Sequence, residues 1–356
     1  MKQAADWVRE EILALDAYHV PAADGLVKLD AMENPYRLPA EVAEGLGRHL
    51  AQVAINRYPD PRAAGLKAVL RRSMGMADDV EMVLGNGSDE LLQLIAVALA
   101  RPGATLLALE PSFVMYRMTA LTAGLSYRGV NLADDFSLDL PATLEAIARH
   151  RPAITWIAYP NNPTGNLFSR DAILAILEAS PGLVVLDEAY YAFSGGESFL
   201  PELDRHPNLV LVRTVSKLGL AGLRLGLAVG PRDWLSQFEK VRLPYNINVL
   251  TEAAARYLLA RHDVLEDQTR RIVAERARLE AGLDAIAGIR RFPSAANFVL
   301  ARVPNAPRAF EALKSRGILV KNLHGSHSLL GNCLRLTVGT PGENAKLLAA
   351  LPAAIV

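Results

Sequence analysis

The middle of this chain alternates short, almost uninterrupted apolar runs with helical patterns, and few folds accept that order. Met82–Leu84, Thr105–Leu109, Ile154–Ala158, Leu183–Leu186, Val210–Thr214 and Leu225–Val229 read as strands. Between them the pattern predicts helices at Ser88–Ala100, Ser112–Ala123, Leu140–Arg149 and Arg170–Ala179. A strand that is apolar at nearly every position needs cover on both faces, which a largely parallel sheet between helix layers supplies. The C-terminal third changes character. Long helical stretches near Thr251–Ala260 and Val264–Ala287 lead to a strand at Phe298–Arg302, a helix near Arg308–Arg316 and a strand at Cys333–Val338. With 356 residues the chain is long enough for two lobes. The expected architecture is α/β: a large domain over 51–245, a smaller α+β domain built from 31–50 and 246–356, and an N-terminal arm over 1–30. Asp233–Val241 begins the connection between lobes, and Pro244 breaks its helical pattern.

Composition narrows the partners. Lys and Arg together number 38, as do Asp and Glu, so the balanced charge gives no electrostatic reason to expect nucleic acid or an anionic membrane. The longest apolar run, about Leu91 to Ala100, is too short to span a bilayer. Asp6, Arg9, Glu10 and Glu11 give the first residues an amphipathic pattern in place of a secretory signal. The single cysteine, Cys333, excludes a disulfide within the chain and points to a reducing compartment, the cytoplasm. Its place at the start of an apolar strand reads as inert core. His49, His150, His206, His262, His324 and His327 show no metal-ligand spacing, and His324-Gly-Ser-His327 reads as a solvated loop.

Four polar elements follow the strands. Gly85-Asn-Gly87-Ser88-Asp89-Glu90 closes one strand and opens a helix. Its glycines permit close backbone approach, Ser88 can cap the helix, and the free N–H groups attract an anion. Glu90 stands where a dinucleotide fingerprint needs glycine, and an ordinary strand-to-helix turn is the alternative. Tyr159-Pro160-Asn161-Asn162-Pro163-Thr164-Gly165 follows the next strand considered, at the edge where open α/β sheets bind ligands. Asn162 can donate to a ring oxygen, and a cis Asn162–Pro163 bond is expected; a plain turn is again the alternative. Asp187-Glu-Ala-Tyr190 ends a buried strand, where a carboxylate needs a cation such as a pyridinium nitrogen or else serves as a cap. Tyr190 could reach a ring hydroxyl. Last, Arg213-Thr-Val-Ser-Lys217-Leu-Gly-Leu-Ala-Gly-Leu-Arg224 sets the hydroxyls of Thr214 and Ser216 and the Arg224 guanidinium around one phosphate, leaving Lys217 to bond a carbonyl carbon. Together the four imply a lysine Schiff base with a phosphorylated aldehyde cofactor.

Along nearly its whole length the chain resembles the fold-type I pyridoxal-phosphate aminotransferases, and among them the histidinol-phosphate aminotransferases. The resemblance lies in Glu33-Asn34-Pro35, Asn56-Arg-Tyr58-Pro59, the glycine loop, Asn162-Pro-Thr-Gly165, Asp187-Glu-Ala-Tyr190, the lysine segment and Leu334-Arg335-Leu-Thr-Val-Gly339. It implies pyridoxal 5'-phosphate as cofactor, joined through an imine to Lys217. It places the phosphate against the amides of Ser88 and Asp89, the hydroxyls of Thr214 and Ser216, and Arg224. Asp187 would face the ring nitrogen, Asn162 and Tyr190 the ring oxygen, and Phe113 the ring face, where many relatives carry tyrosine. Tyr58 would reach the phosphate of the other subunit, which implies a homodimer with shared sites. Arg335 would grip the anionic end of the substrate, with Lys321 where some relatives have a second arginine. Tyr18, Asn34 and Tyr245 are candidate walls for an imidazole.

The resemblance implies reversible ping-pong amino transfer. The amine of L-histidinol phosphate would displace Lys217, whose freed amine would move a proton from the substrate Cα. Imidazole-acetol phosphate would leave, and 2-oxoglutarate would depart as L-glutamate, a step of histidine biosynthesis. An aromatic amino-acid aminotransferase and a threonine-phosphate decarboxylase are the alternatives on the same fold. A regulator that uses the fold as a sensor would need a DNA-binding domain, for which the residues before Glu33 leave no room.

Overall fold

The computed structural model describes residues 3–17 and 21–356. Among these residues, twelve strands form two sheets. In chain order they are β1 Val27–Leu29, β2 Met82–Asn86, β3 Thr105–Glu110, β4 Ser126–Asn131, β5 Ile154–Ala158, β6 Leu183–Asp187, β7 Leu209–Thr214, β8 Leu225–Val229, β9 Arg290–Arg291, β10 Phe298–Arg302, β11 Ile318–Asn322 and β12 Cys333–Thr337. The larger sheet runs β2-β8-β7-β6-β5-β3-β4. Its pairings are parallel except those of β8, which is antiparallel to β2 and β7.

Alternate residues of the central strands explain why this sheet is buried on both sides. Leu107, Ile157, Leu186, Leu211 and Leu227 belong to one apolar cluster; Ala108, Trp156, Val185, Val210 and Ala228 belong to another on the opposite face. The helices that separate the strands in sequence supply the cover. In this register Ala158 lies beside Asp187, and Asp187 beside Val212. The strands therefore end level, and the polar residues that follow them collect along one edge of the sheet.

A buried ion pair fastens two of those ends together. The Arg213 side chain on β7 donates to Glu188, directly after β6, from Nε at 2.9 Å and lies 2.8 Å away at Nη2. Glu188 is 0% exposed and also accepts from the Phe199 amide and the Ser198 hydroxyl. The guanidinium lies 3.9 Å from the centre of the Tyr191 ring. Removing either charge would leave the other buried and unpaired, at a cost of about 3–5 kcal/mol.

The smaller sheet runs β1-β11-β12-β10-β9, with β1 parallel to β11 and the other pairs antiparallel. This moves one expected boundary. Val27–Leu29, assigned from sequence to an N-terminal arm, pairs in register with Ile318–Val320 of the small sheet. The helix expected from Ser112 begins at Met115, after Ser112 has turned its hydroxyl onto Asn161. The helix Arg232–Val241 ends three residues before Pro244, as the sequence requires.

Candidate active site

The end of β7 delivers Lys217. After Thr214 the chain leaves the sheet in a short turn, in which the Thr214 hydroxyl bonds the Ser216 hydroxyl at 2.8 Å and accepts from the Ser216 amide. Gly219 then adopts φ +113°, and a Cβ there would stand 2.9 Å from the Asn34 amide nitrogen. Lys217 donates from Nζ to the Ala31 carbonyl at 3.3 Å. Burial pushes the amine down to about 8, with the Arg335 charge adding to the effect.

At one side of Lys217 lies a cup suited to an anion. The helix Ser88–Leu99 points its N-terminus into it, and Gly87 at φ +80° is its N-cap. Ser88 is the first helical residue and makes no capping bond, so its expected capping role is corrected: the positive φ before the helix suits the glycine instead. Arg224 closes the cup. A Cβ on Gly87 would fall 2.6 Å from the Arg224 guanidinium, and one on Gly226 would fall 2.6 Å from the Ser88 amide. The Arg224–Asp89 ion pair, at 3.2 Å, is about half exposed on both sides and holds the residues in place only weakly.

Asp187 occupies the other side, at the end of β6. Burial raises its carboxyl to about 6, opposed first by a 2.9 Å bond from the Tyr116 hydroxyl and then by the Ala189 amide. Both donors are neutral. A cavity of about 90 Å³ is lined by Lys217, Asp187, Tyr190 and Phe113, and by the cup residues Ser88, Asp89, Thr214, Ser216 and Arg224.

A second cavity, of about 1030 Å³, opens beside the first, and Met32, Phe113 and Asn162 line both. Asn162 spans them. Its amide nitrogen donates to the Tyr190 hydroxyl at 3.4 Å, and its oxygen accepts from Arg335 at 2.6 Å. The Asn162–Pro163 bond is cis, as are Glu110–Pro111 and Tyr159–Pro160. Arg335 and Lys321 line the large cavity from register-paired positions on β12 and β11. Burial lowers the Lys321 amine, and the neighbouring Arg335 lowers it further. His327, expected in a solvated loop, also lines this cavity.

Asn34, Tyr245 and Tyr58 line neither cavity of their own chain, and Tyr18 lies outside the described residues. Asn34 lines neither cavity: its amide bonds the Leu218 carbonyl, Gln268 and the Tyr36 amide, which ties it to the lysine turn. Tyr245 also lines neither; it stacks on Tyr58 with ring centres 4.6 Å apart. Tyr58 is 80% exposed and does not line the Lys217 cavity of its own chain, in keeping with its expected reach into the other subunit. Sequence reasoning passed over Tyr116 and Met32. Tyr116 sits three residues after Phe113 in an apolar helix, and a phenol there must find a partner; that requirement was the available signal.

Residues 24–351 match the model of aminotransferase class I and II. The chain belongs to the class I and II aminotransferases. A histidinol-phosphate aminotransferase of Chromobacterium violaceum is 58% identical to this aminotransferase over 344 residues, which cover 97% of this chain and 96% of that one. Histidinol-phosphate aminotransferase 2 of Nitrosococcus oceani is 52% identical over 353 residues, covering 99% and 98%. Among solved structures, the histidinol-phosphate aminotransferase of Sinorhizobium meliloti in complex with pyridoxal-5'-phosphate superposes with a TM-score of 0.87 at 26% identity, covering 98% of this chain and 97% of that one. These likenesses agree with the fold-type I architecture of a large, mostly parallel sheet and a smaller α+β unit.

Proposed function

We infer that this aminotransferase converts L-histidinol phosphate and 2-oxoglutarate to imidazole-acetol phosphate and L-glutamate, reversibly and by a ping-pong route, in histidine biosynthesis. Its cofactor is pyridoxal 5'-phosphate. One observation carries the reading: a lysine of lowered basicity and a buried carboxylate with neutral donors line a single small cavity that ends in an anion cup. The residues fit the cofactor at both ends. The glycines of the cup leave backbone where side chains would block it, and a buried carboxylate calls for a cation such as a protonated ring nitrogen.

When bound, pyridoxal 5'-phosphate supplies an aldehyde carbon that takes up an amine and a ring that withdraws electrons from it. The amides of Ser88 and Asp89, the hydroxyls of Thr214 and Ser216, and Arg224 would hold its phosphate. Asp187 would keep the ring nitrogen protonated, Asn162 and Tyr190 would take the ring oxygen, and Phe113 would cover the ring face. Lys217, with its amine poised near neutral pH, would hold and move the proton at the substrate Cα. Arg335 and Lys321 would receive the phosphate of one substrate and the carboxylate of the other. The width of the outer cavity supports such dual use.

We also propose a homodimer with shared sites. Ile55, Tyr58, Leu243 and Tyr245 are exposed to 73%, 80%, 71% and 42%, an apolar group that a second copy would cover. Tyr58 would then reach the cup of the partner subunit. The chain would consist of a large domain over 51–245 and a small one from 31–50 and 246–356, with Val27–Leu29 joined to the latter. No helix among the described residues is long and apolar enough to cross a membrane, and a cytoplasmic location is proposed.

An absorbance spectrum of the purified protein, followed by addition of L-histidinol phosphate, tests the function. A visible band that shifts on addition, with glutamate formed from 2-oxoglutarate, is the expected result. Faster turnover of phenylalanine, or release of carbon dioxide from threonine phosphate, would replace this reading with an alternative. Sedimentation of Leu243→Glu tests the dimer; the expected outcome is a monomer of low activity.

A further inference from the structure

We propose that Tyr116 is a positioning residue: a single buried phenol that orients the Asp187 carboxylate toward the cavity and props the Phe113 ring beside it. The inference rests on the reading of the small cavity as the pyridoxal-phosphate site. Tyr116 is 0% exposed, and its hydroxyl bonds Asp187 Oδ2 at 2.9 Å. The other oxygen, Oδ1, accepts from the Ala189 amide at 3.1 Å. Two donors on two different oxygens fix the plane of the carboxyl group, which neither could do alone. The same ring meets Phe113 edge-on, 5.8 Å between centres at 86°, and rests on Trp156 at 5.2 Å. Phe113 and Tyr116 stand three apart, so the turn that begins the helix Met115–Ala123 sets both.

The bond has an electrostatic consequence that adds to the geometry. A hydroxyl that donates to a carboxylate favours its charged form, and here it is the largest influence opposing burial. The other charged groups acting on Asp187 are Lys217, after β7, which also favours the carboxylate, and Asp89, at the start of the helix Ser88–Leu99, which opposes it. Tyr190 acts on the Tyr116 phenol, as does Tyr127 from β4. With Tyr116 present, Asp187 is ionised at neutral pH. Without its hydroxyl the carboxyl would take up a proton more readily and would no longer be held in one plane.

Tyr116→Phe removes the hydroxyl and keeps the ring. The expected results are a dissociation constant for pyridoxal 5'-phosphate raised about 10- to 100-fold, the range for a lost bond to a charged group, and an acid limb of cofactor binding moved to higher pH. The decisive comparison is made in an Asp187→Asn background. If Tyr116 acts through Asp187, adding Tyr116→Phe there changes cofactor affinity less than threefold. Equal losses in both backgrounds, or unchanged affinity and acid limb in the single variant, would overturn the proposal. Should Tyr116→Phe not fold, 3-fluorotyrosine placed at position 116 alone keeps the ring and makes the hydroxyl a stronger donor. The acid limb then moves to lower pH, and an unmoved limb overturns the proposal. Failure of the unaltered protein to take up pyridoxal 5'-phosphate would sink the functional reading and this inference with it; uptake without a response to position 116 would sink this inference alone.

Discussion

The two neighbouring cavities are built on opposite plans. The inner one, about 90 Å³, is walled mostly by residues at or just beyond strand ends of the large sheet, several of them tied to neighbouring side chains or to backbone. The outer one, about 1030 Å³, takes Lys321 and Arg335 from the small sheet, Arg117 from the helix Met115–Ala123, and Glu110 and Arg128 from the β3–β4 edge of the large sheet. In the proposed function this contrast would separate chemistry from recognition. The groups proposed to act on one atom lie close together near the central strands, whereas those proposed to accept two substrates of different length would sit around a far larger space.

Substitutions can test that division by asking which kinetic constant moves. The largest effect is expected at Lys217→Ala: turnover falls about 10³- to 10⁴-fold in single-turnover assays, while the substrate dissociation constant stays within a few-fold. A comparable loss of substrate affinity would blur the two cavities into one. The same amine makes a pH prediction. Because burial holds it near 8, cofactor-free protein should capture pyridoxal 5'-phosphate about tenfold faster per pH unit on approaching that value and level off above it.

Asp187→Asn comes next, with turnover expected to fall about 10²- to 10³-fold. Stability should move the other way. The native carboxyl titrates near 6, above its ordinary value of 3.8, so between those pH values the folded chain binds more protons than the unfolded one. Stability from this group is therefore present below about 3.8 and lost as pH rises through 6, a burden of about 1–3 kcal/mol at pH 7. Cofactor-free Asp187→Asn should unfold at higher denaturant concentration than the parent at pH 7, with the advantage vanishing near pH 4. Equal midpoints at pH 7 would mean that the carboxylate is not strained.

Arg335→Ala should act on recognition, raising KM for both substrates about 100-fold with turnover changed less. A loss confined to turnover would place Arg335 with the inner group. The smallest effect is expected at Lys321→Arg, within about threefold in kcat/KM, because the change preserves charge at a half-buried position beside Arg335.

The same contrast governs how much was legible in the sequence. Inner residues follow runs such as Ile154–Ala158 and Leu183–Asp187, so the strand pattern itself marks where polar groups must collect. Most of those strands were bounded to within a residue or two. β4 was missed because it is an edge strand in which Ser126, Arg128, Gly129 and Asn131 are exposed and Val130 alone is buried, so no apolar run marks it. β1 and β11 were missed because three residues near the start must pair with a segment almost 300 positions later, and nothing local announces that. That Asn34 and Tyr245 line neither cavity of their own chain was illegible for a related reason. A sequence shows that an amide or a phenol is available; it does not show that Gln268 or Tyr58 has already engaged it. Tyr116 was overlooked because an aromatic residue within an apolar helix looks like filling.

The bond from Arg335 to Asn162 joins the two sheets at the spot where an incoming anion would arrive. In the proposed function it would work as a latch whose bolt is also the gripping hand. Any swing of the small sheet away from the large one has to part this guanidinium from its amide oxygen, and an arriving anion offers those same donors another place to rest. Opening and capture would therefore draw on one small set of N–H groups.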